Sequence, residues 1–280
     1  MTPPHQQALL ALLDDQDAEV WAQVRAQILQ DGVDFLPLLL QERQHNPSPV
    51  VQQRVADLLP RLHYPQLRQD LRHWRDHQSD DLLAGMALLA AYQDPGIKLH
   101  ALRQEIDTLY AKAWVGLGAN RNPTEKVKLL NGAFFDGLGF KPTAPEAFED
   151  IDNSRIDQVL ERRTGNPISL CVVYMLIARK MRMPIYGVNM PNVFVLVYDA
   201  PDLRFYINVF NRGSIFTRHE IDAYLSRLGI TPRPPYYEPC SHPAILRRVL
   251  RNMTVSYQNA AATQSMADMQ ALLELLSQEG

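Results

Sequence analysis

The sequence predicts a mostly helical α+β fold, with a helical-repeat-like N-terminal region followed by a helix packed on an antiparallel sheet. Three observations predict it. Apolar residues recur every three or four positions over most of the chain, the spacing of amphipathic helices. One stretch, residues 185–209, changes to runs of valine, tyrosine, phenylalanine and isoleucine, which read as strands. Just ahead of it Asn166-Pro167 opens a long apolar segment, and asparagine suits a helix cap as proline suits the first turn.

The totals limit the class of protein. A length of 280 residues exceeds one average domain of ~100–200 residues. Hydrophobic residues at 46% and charged residues at 21% argue against a disordered chain, a collagen-like repeat or a disulfide scaffold. With 28 basic and 31 acidic side chains the formal charge is -3, too balanced for a dedicated nucleic-acid binder. No apolar run reaches the ~18 residues that span a bilayer. Met1 to Gln7 also lacks the basic start and apolar run of a leader. Cys171 and Cys240, the only cysteines, are expected as thiols, and the cytoplasm is the expected location.

Residues 1–93 hold 7 arginines, no lysine and 12 acids. This shift in composition meets the turn-type cluster Gln93-Asp94-Pro95-Gly96, so a boundary is expected there, giving regions 1–93 and 94–280. Before it, Val20, Val24 and Ile28, then Phe35, Leu36 and Leu39, then Val51, Val55, Leu58 and Leu62, then Leu67, Leu71 and Trp74 mark short helices. Connections are expected at Gln30-Asp31-Gly32 and at His63-Tyr64-Pro65. A shift of 31 residues superimposes Asp17 to Ile28 on Ser48 to Leu59, a pattern that resembles HEAT-type helical pairs although those usually repeat every ~40–47 residues. An irregular helical bundle is the plainer alternative.

Further on, Leu102, Ile106, Leu109, Ala113 and Leu117 predict a helix over 99–117, and Thr124 opens another to about Phe135. Lys141 to Asp152 reads as a polar loop, and Asp152-Asn153-Ser154 as the cap of a helix holding Ile156, Val159 and Leu160. The apolar helix from Ile168 to Met181 follows. Strands are expected at 185–188, 194–198 and 204–209, the last two a hairpin turning at Asp199-Ala200-Pro201-Asp202. Thr217-Arg218-His219-Glu220 is a capping box. Pro232 to Pro243 reads as an extended surface segment, and helices over 244–260 and 265–277 close the chain.

Leu138-Gly139-Phe140, the run Asp152 to Leu170 and Met190-Pro191-Asn192 with Phe194 resemble the SirB1 family of transglutaminase-like proteins, over roughly residues 95–230. The resemblance implies a helix on an antiparallel sheet, the frame that in active relatives presents cysteine, histidine and an acid. Measured back from Met183-Pro184, the nucleophile register falls at or near Pro167. The hairpin register that carries a histidine in such sequences holds Val193, and the orienting carboxylate has become Asn208. The implied protein is non-catalytic, with a degenerate cleft that binds a peptide or protein partner. Its polar candidates are Asn166, Ser169, Cys171, Asn192, Asn208 and Asn211. Two alternatives stand beside it: a cysteine-dependent peptidase, amidase or acyltransferase using Cys171, with Ser169 a better placed hydroxyl that has no visible base, and a purely structural helical scaffold.

Cys171 lies one turn inside its helix among Leu170, Val172 and Val173, which favours a small buried hydrophobe over a nucleophile. His73 and His77 share a helix face, but Trp74 replaces the glutamate of a zinc-peptidase motif. Cys240-Ser241-His242 offers too few ligands for zinc. Glu146, Glu149, Asp150 and Asp152 favour a helix N-terminus electrostatically, and Arg247, Arg248 and Arg251 read as a solvated face. Neither a Walker pattern nor a dinucleotide-binding glycine motif occurs. No metal, cofactor, nucleic acid or membrane is expected.

Overall fold

A computed structural model describes residues 4–114 and 122–278; Leu117, expected at the end of a helix, lies outside them. The chain divides into two compact units, Met1–His73 with Leu88–Ile97 and Trp74–Ala87 with Lys98–Gly280. It is a mostly helical α+β protein.

The first unit is built from α1 (Pro4–Ala11), α2 (Ala18–Asp31), α3 (Leu36–His45) and most of α4 (Pro49–His77). Among the described residues 4–93 no strand occurs. Asp17 caps α2, its carboxylate accepting the amides of Glu19 at 2.7 Å and Val20 at 3.3 Å. The helical stripe read from the sequence becomes the core: Val24, Ile28, Phe35, Leu39, Val51, Val55 and Leu58 are all buried. Asp57 on α4 accepts from Arg25 at 2.7 Å and Arg61 at 3.0 Å. Burial pushes its carboxyl up, but the two guanidiniums outweigh that and leave its pKa below the ordinary value.

One expected connection is absent. α4 runs unbroken through His63-Tyr64-Pro65, with Pro60 and Pro65 inside it. An interior proline costs a helix ~3 kcal/mol, whereas each buried leucine returns roughly 1.5–3 kcal/mol. Leu58, Leu59, Leu62, Leu67 and Leu71 are all buried, so packing carries the helix past its breakers.

The second unit centres on α9 (Pro167–Lys180), where Ile168, Leu170, Val172, Val173, Tyr174 and Ile177 are buried. It packs on β3 (Ile185–Asn189) and β4 (Phe194–Ala200). With β5 (Leu203–Asn208) and β6 (Ser214–Phe216) these form an antiparallel sheet in the order β3-β4-β5-β6. The expected hairpin pairs Leu196 with Ile207 and Ala200 with Leu203, leaving Pro201-Asp202 as its turn. Beside that turn Arg204 grips Asp199 through two bonds, at 2.8 and 2.9 Å. β6 was not expected, nor was the parallel pair β1 (Lys141–Pro142) and β2 (Thr164–Gly165). Two or three residues are too few to display a period.

To this unit belong the first part of α5 (Leu82–Ala91), as far as Ala87, and α6 (Leu99–Trp114), α7 (Pro123–Asn131), α8 (Ile156–Arg162), α10 (Arg218–Arg227), α11 (His242–Asn259) and α12 (Thr263–Ser277). Thr217 forms the expected capping box with Glu220. The cap expected for α8 does not form: residues 151–153 make a 3-10 turn, Asp150 caps that turn at 3.0 Å, and Arg155 takes the N-cap position of α8. Asp150 and Asp152 then pair with Arg162 at 3.0 and 3.3 Å. Arg247 and Arg248, expected on a solvated face, are half-buried: Arg247 donates to the Leu276 carbonyl at 2.9 Å and Arg248 to Asn189 at 3.4 Å. Long side chains that bury their stems can still place a charged tip on an internal acceptor.

Candidate functional site

The N-terminus of α9 is a closed hydrogen-bonded unit. Asn166 accepts the Ser169 amide at 3.0 Å and donates its own amide to Ser154 Oγ at 2.9 Å. Ser169 Oγ turns back to the Asn166 carbonyl at 3.1 Å. All three residues are buried. The Ser169 amide at this helix end is therefore taken by the capping side chain of Asn166, as orphan helix amides usually are. Gly165 is required by close approach, since a Cβ there would lie 2.5 Å from Ser169 Oγ and 3.2 Å from Val159.

Pro167 occupies the first turn of α9. Cys171, fully buried, donates to the Phe194 carbonyl at 3.7 Å. Burial drives its thiol far above the ordinary range; a hydrogen bond from the Val209 amide opposes this and the nearby Cys240 adds to it, both less strongly. The sulfur is thus held between the start of β4 and the turn after β5, next to the strand ends that carry Val193 and Asn208. Among the described residues no histidine is within hydrogen-bonding or electrostatic reach of it.

Val193 is half-buried and packs on the apolar cluster of Val188, Met190, Val195 and Tyr206. Asn208 caps the turn at 209–211, accepting the Asn211 amide at 3.1 Å, and Asn211 in turn donates to Ser214 Oγ at 3.2 Å. Asn192 stands apart, exposed at the tip between β3 and β4 in a left-handed conformation with φ +62°. The structure thus gathers Asn166 and Ser169 into one knot, seats Cys171 against the sheet, joins Asn208 to Asn211, and leaves Asn192 outside these bonds.

Other polar residues of this region take roles that the sequence does not signal, Asn153 being expected only within a helix cap. Asn153 is fully buried and donates to the Ala147 carbonyl at 2.6 Å, while its Oδ1 has no partner among the described residues. Tyr174 donates to Asn131 Oδ1 at 2.9 Å, and Asn131 donates to the Gly213 carbonyl at 2.7 Å. Gly213 has φ +71°, and a Cβ there would meet Asn131 at 2.1 Å. That network ties α7 to the β5–β6 turn. Phe148 and Phe210, the latter in the turn after β5, pack edge-to-face at 6.3 Å, and Phe148 is 48% exposed.

Elsewhere, His73 and His77 are exposed on α4, and Ser241 caps α11 by accepting the Ala244 amide at 3.4 Å. Among the described residues no group of three or more histidine, cysteine or acidic side chains is placed to hold a metal. No described helix is long and apolar enough to cross a membrane.

A buried helix docked on an antiparallel meander, with a cysteine in its second turn facing the sheet, defines a transglutaminase-like core. The chain belongs to the transglutaminase-like superfamily, whose sequence model matches residues 100–251. A UPF0162 protein of Xylella fastidiosa is 32% identical over 145 residues, 48% of this chain and 50% of that protein. One from Vibrio cholerae is 30% identical over 151 residues, 54% and 55% of the two chains. Mouse F-box only protein 21 is 30% identical over 133 residues, 44% of this chain and 20% of that protein. The chain thus spans about half the length of the bacterial relatives. No solved structure matches it.

Proposed function

We propose that this is a non-catalytic transglutaminase-like protein of the SirB1 type, which uses its degenerate cleft to bind a peptide or protein segment. The observation that carries the reading is the state of Cys171: buried, bonded to a main-chain carbonyl and with its pKa raised. Acyl transfer through a thiol needs an accessible thiolate, a base to generate it and a group to orient that base. Pro167, Val193 and Asn208 fill the three registers instead. Asparagine can orient a histidine, but valine leaves it nothing to orient.

The binding role draws on the exposed Phe148 edge beside Phe210 and on the polar caps of Asn208 and Asn211, an apolar anchor with hydrogen-bonding groups at its rim. In this reading the N-terminal helices are a HEAT-like second surface, and the protein works in the cytoplasm, where its two free cysteines stay reduced.

The test has two arms on the full chain. Iodoacetamide should label Cys171 slowly at pH 6, and glutamine and peptide substrates should be left intact. Peptides selected from a displayed library should lose binding to Phe148→Ala and keep it with Cys171→Ala. Fast labelling at pH 6 together with turnover that Cys171→Ala abolishes would reverse the assignment.

A further inference from the structure

The C-terminal end of α9, opposite the degenerate site, borders a cavity of about 540 Å³, a size typical of small-ligand pockets. Its floor is apolar: Met175, Met183, Ile185 and Ile245 line it and are buried. Its rim is cationic. Arg179 and Arg182 are exposed there. Arg179 donates to the Asp80 main-chain carbonyl at 3.0 Å, and among the described residues neither guanidinium has a carboxylate partner.

Two further groups set the polarity. His242 Nδ1 lies 2.8 Å from the Ser79 carbonyl; a carbonyl only accepts, so Nδ1 carries the proton and Nε2 stays available. The acidic residue Asp80 also lines the cavity, and the carbonyl end of α9 brings partial negative charge. Both disfavour a dianion. A single negative charge of planar shape suits a guanidinium best, because two parallel N–H bonds can meet two oxygens.

We infer that this cavity binds a monocarboxylate carried on an apolar body, with the carboxylate at Arg179 and Arg182 and the body on the floor. The same chemistry is offered by a free medium-chain carboxylic acid and by the C-terminus of a peptide ending in an apolar residue. The inference does not depend on the proposed function, since it uses neither Cys171 nor the N-terminus of α9.

Cys240 supplies the readout, because it lines the cavity and is only half-buried. Its labelling by a maleimide in the full chain, followed by mass spectrometry at pH 9, should slow in the presence of octanoate or of an N-acetylated tripeptide ending in leucine. The corresponding amides should not protect. Arg179→Gln and Arg182→Gln should each weaken protection about tenfold, as expected for losing one charge-assisted bond; the thermal midpoint should be unchanged in Arg182→Gln, whose side chain is exposed, and fall slightly in Arg179→Gln, which also gives up the bond to the Asp80 carbonyl. Protection by octanoate alone would assign the site to free acids, and by the peptide alone to a chain terminus. No saturable protection by either, equal protection by the amides, or protection indifferent to both arginine variants would overturn the inference.

Discussion

A thiol reacts as its thiolate, and at Cys171 burial withholds both the charge and the access, with the Val209 amide opposing it only in part. Neighbouring residues show the same tight control. Gly165 lies against Ser169 Oγ and Val159, and Ser169 cannot swing away without giving up its bond to the Asn166 carbonyl. Gly165→Ala should therefore destabilise the protein by about 1–3 kcal/mol, the usual cost of overpacking a core. Chemical denaturation should show the loss as a lower midpoint at unchanged slope. An unaltered midpoint would mean that the knot at the start of α9 is looser than its distances indicate. The sequence exposed Pro167 and Val193 as non-catalytic types, because identity alone decides that proline and valine carry no base. It gave no hint of Asn131, whose role depends on a partner 82 residues away, and it marked Asn153 only as part of a helix cap, whereas its bond goes to a carbonyl 6 residues away.

Helices and strands were legible wherever a period ran for several turns or pairs. α9, the β4–β5 hairpin, the Asn166 cap and the Thr217 capping box all stand where local pattern put them. The errors have local causes too. The sequence predicts a break at Pro65 because proline is a strong punctuator, yet the apolar stripe keeps its helical spacing on both sides and α4 is continuous. Pro65 is exposed and Pro60 is buried, which separates backbone cost from packing gain. Pro65→Ala should restore a backbone hydrogen bond, lose no core contact and stabilise the protein by about 1–3 kcal/mol. A calorimetric midpoint that stays level or falls would show that a bend at Pro65 is needed by its surroundings.

For the molecule as a whole, buried thiols couple stability to alkaline pH. Burial raises Cys240 to about 11 and Cys171 further, whereas an unfolded cysteine titrates near ~8.5. The folded state therefore binds more protons than the unfolded one above that value. Its stability from these groups is complete below pH ~8.5 and is lost as pH rises through the range to about 11, by up to ~1.4 kcal/mol per pH unit for each thiol. Denaturant midpoints measured from pH 7 to 10 should fall, and the fall should be shallower in Cys171→Ala with Cys240→Ala. Parallel profiles for the two proteins would show that other groups control the decline. By itself the sequence determined the element types, the caps and the absence of a base at residue 193, because each is written within a few neighbouring positions. Only the tertiary structure decided that Cys171 is sealed against the sheet, that residues 141–142 pair with 164–165, and that residues from α9, β3 and α11 enclose a cationic cavity. Those outcomes follow from burial and pairing between distant segments, which no local period encodes.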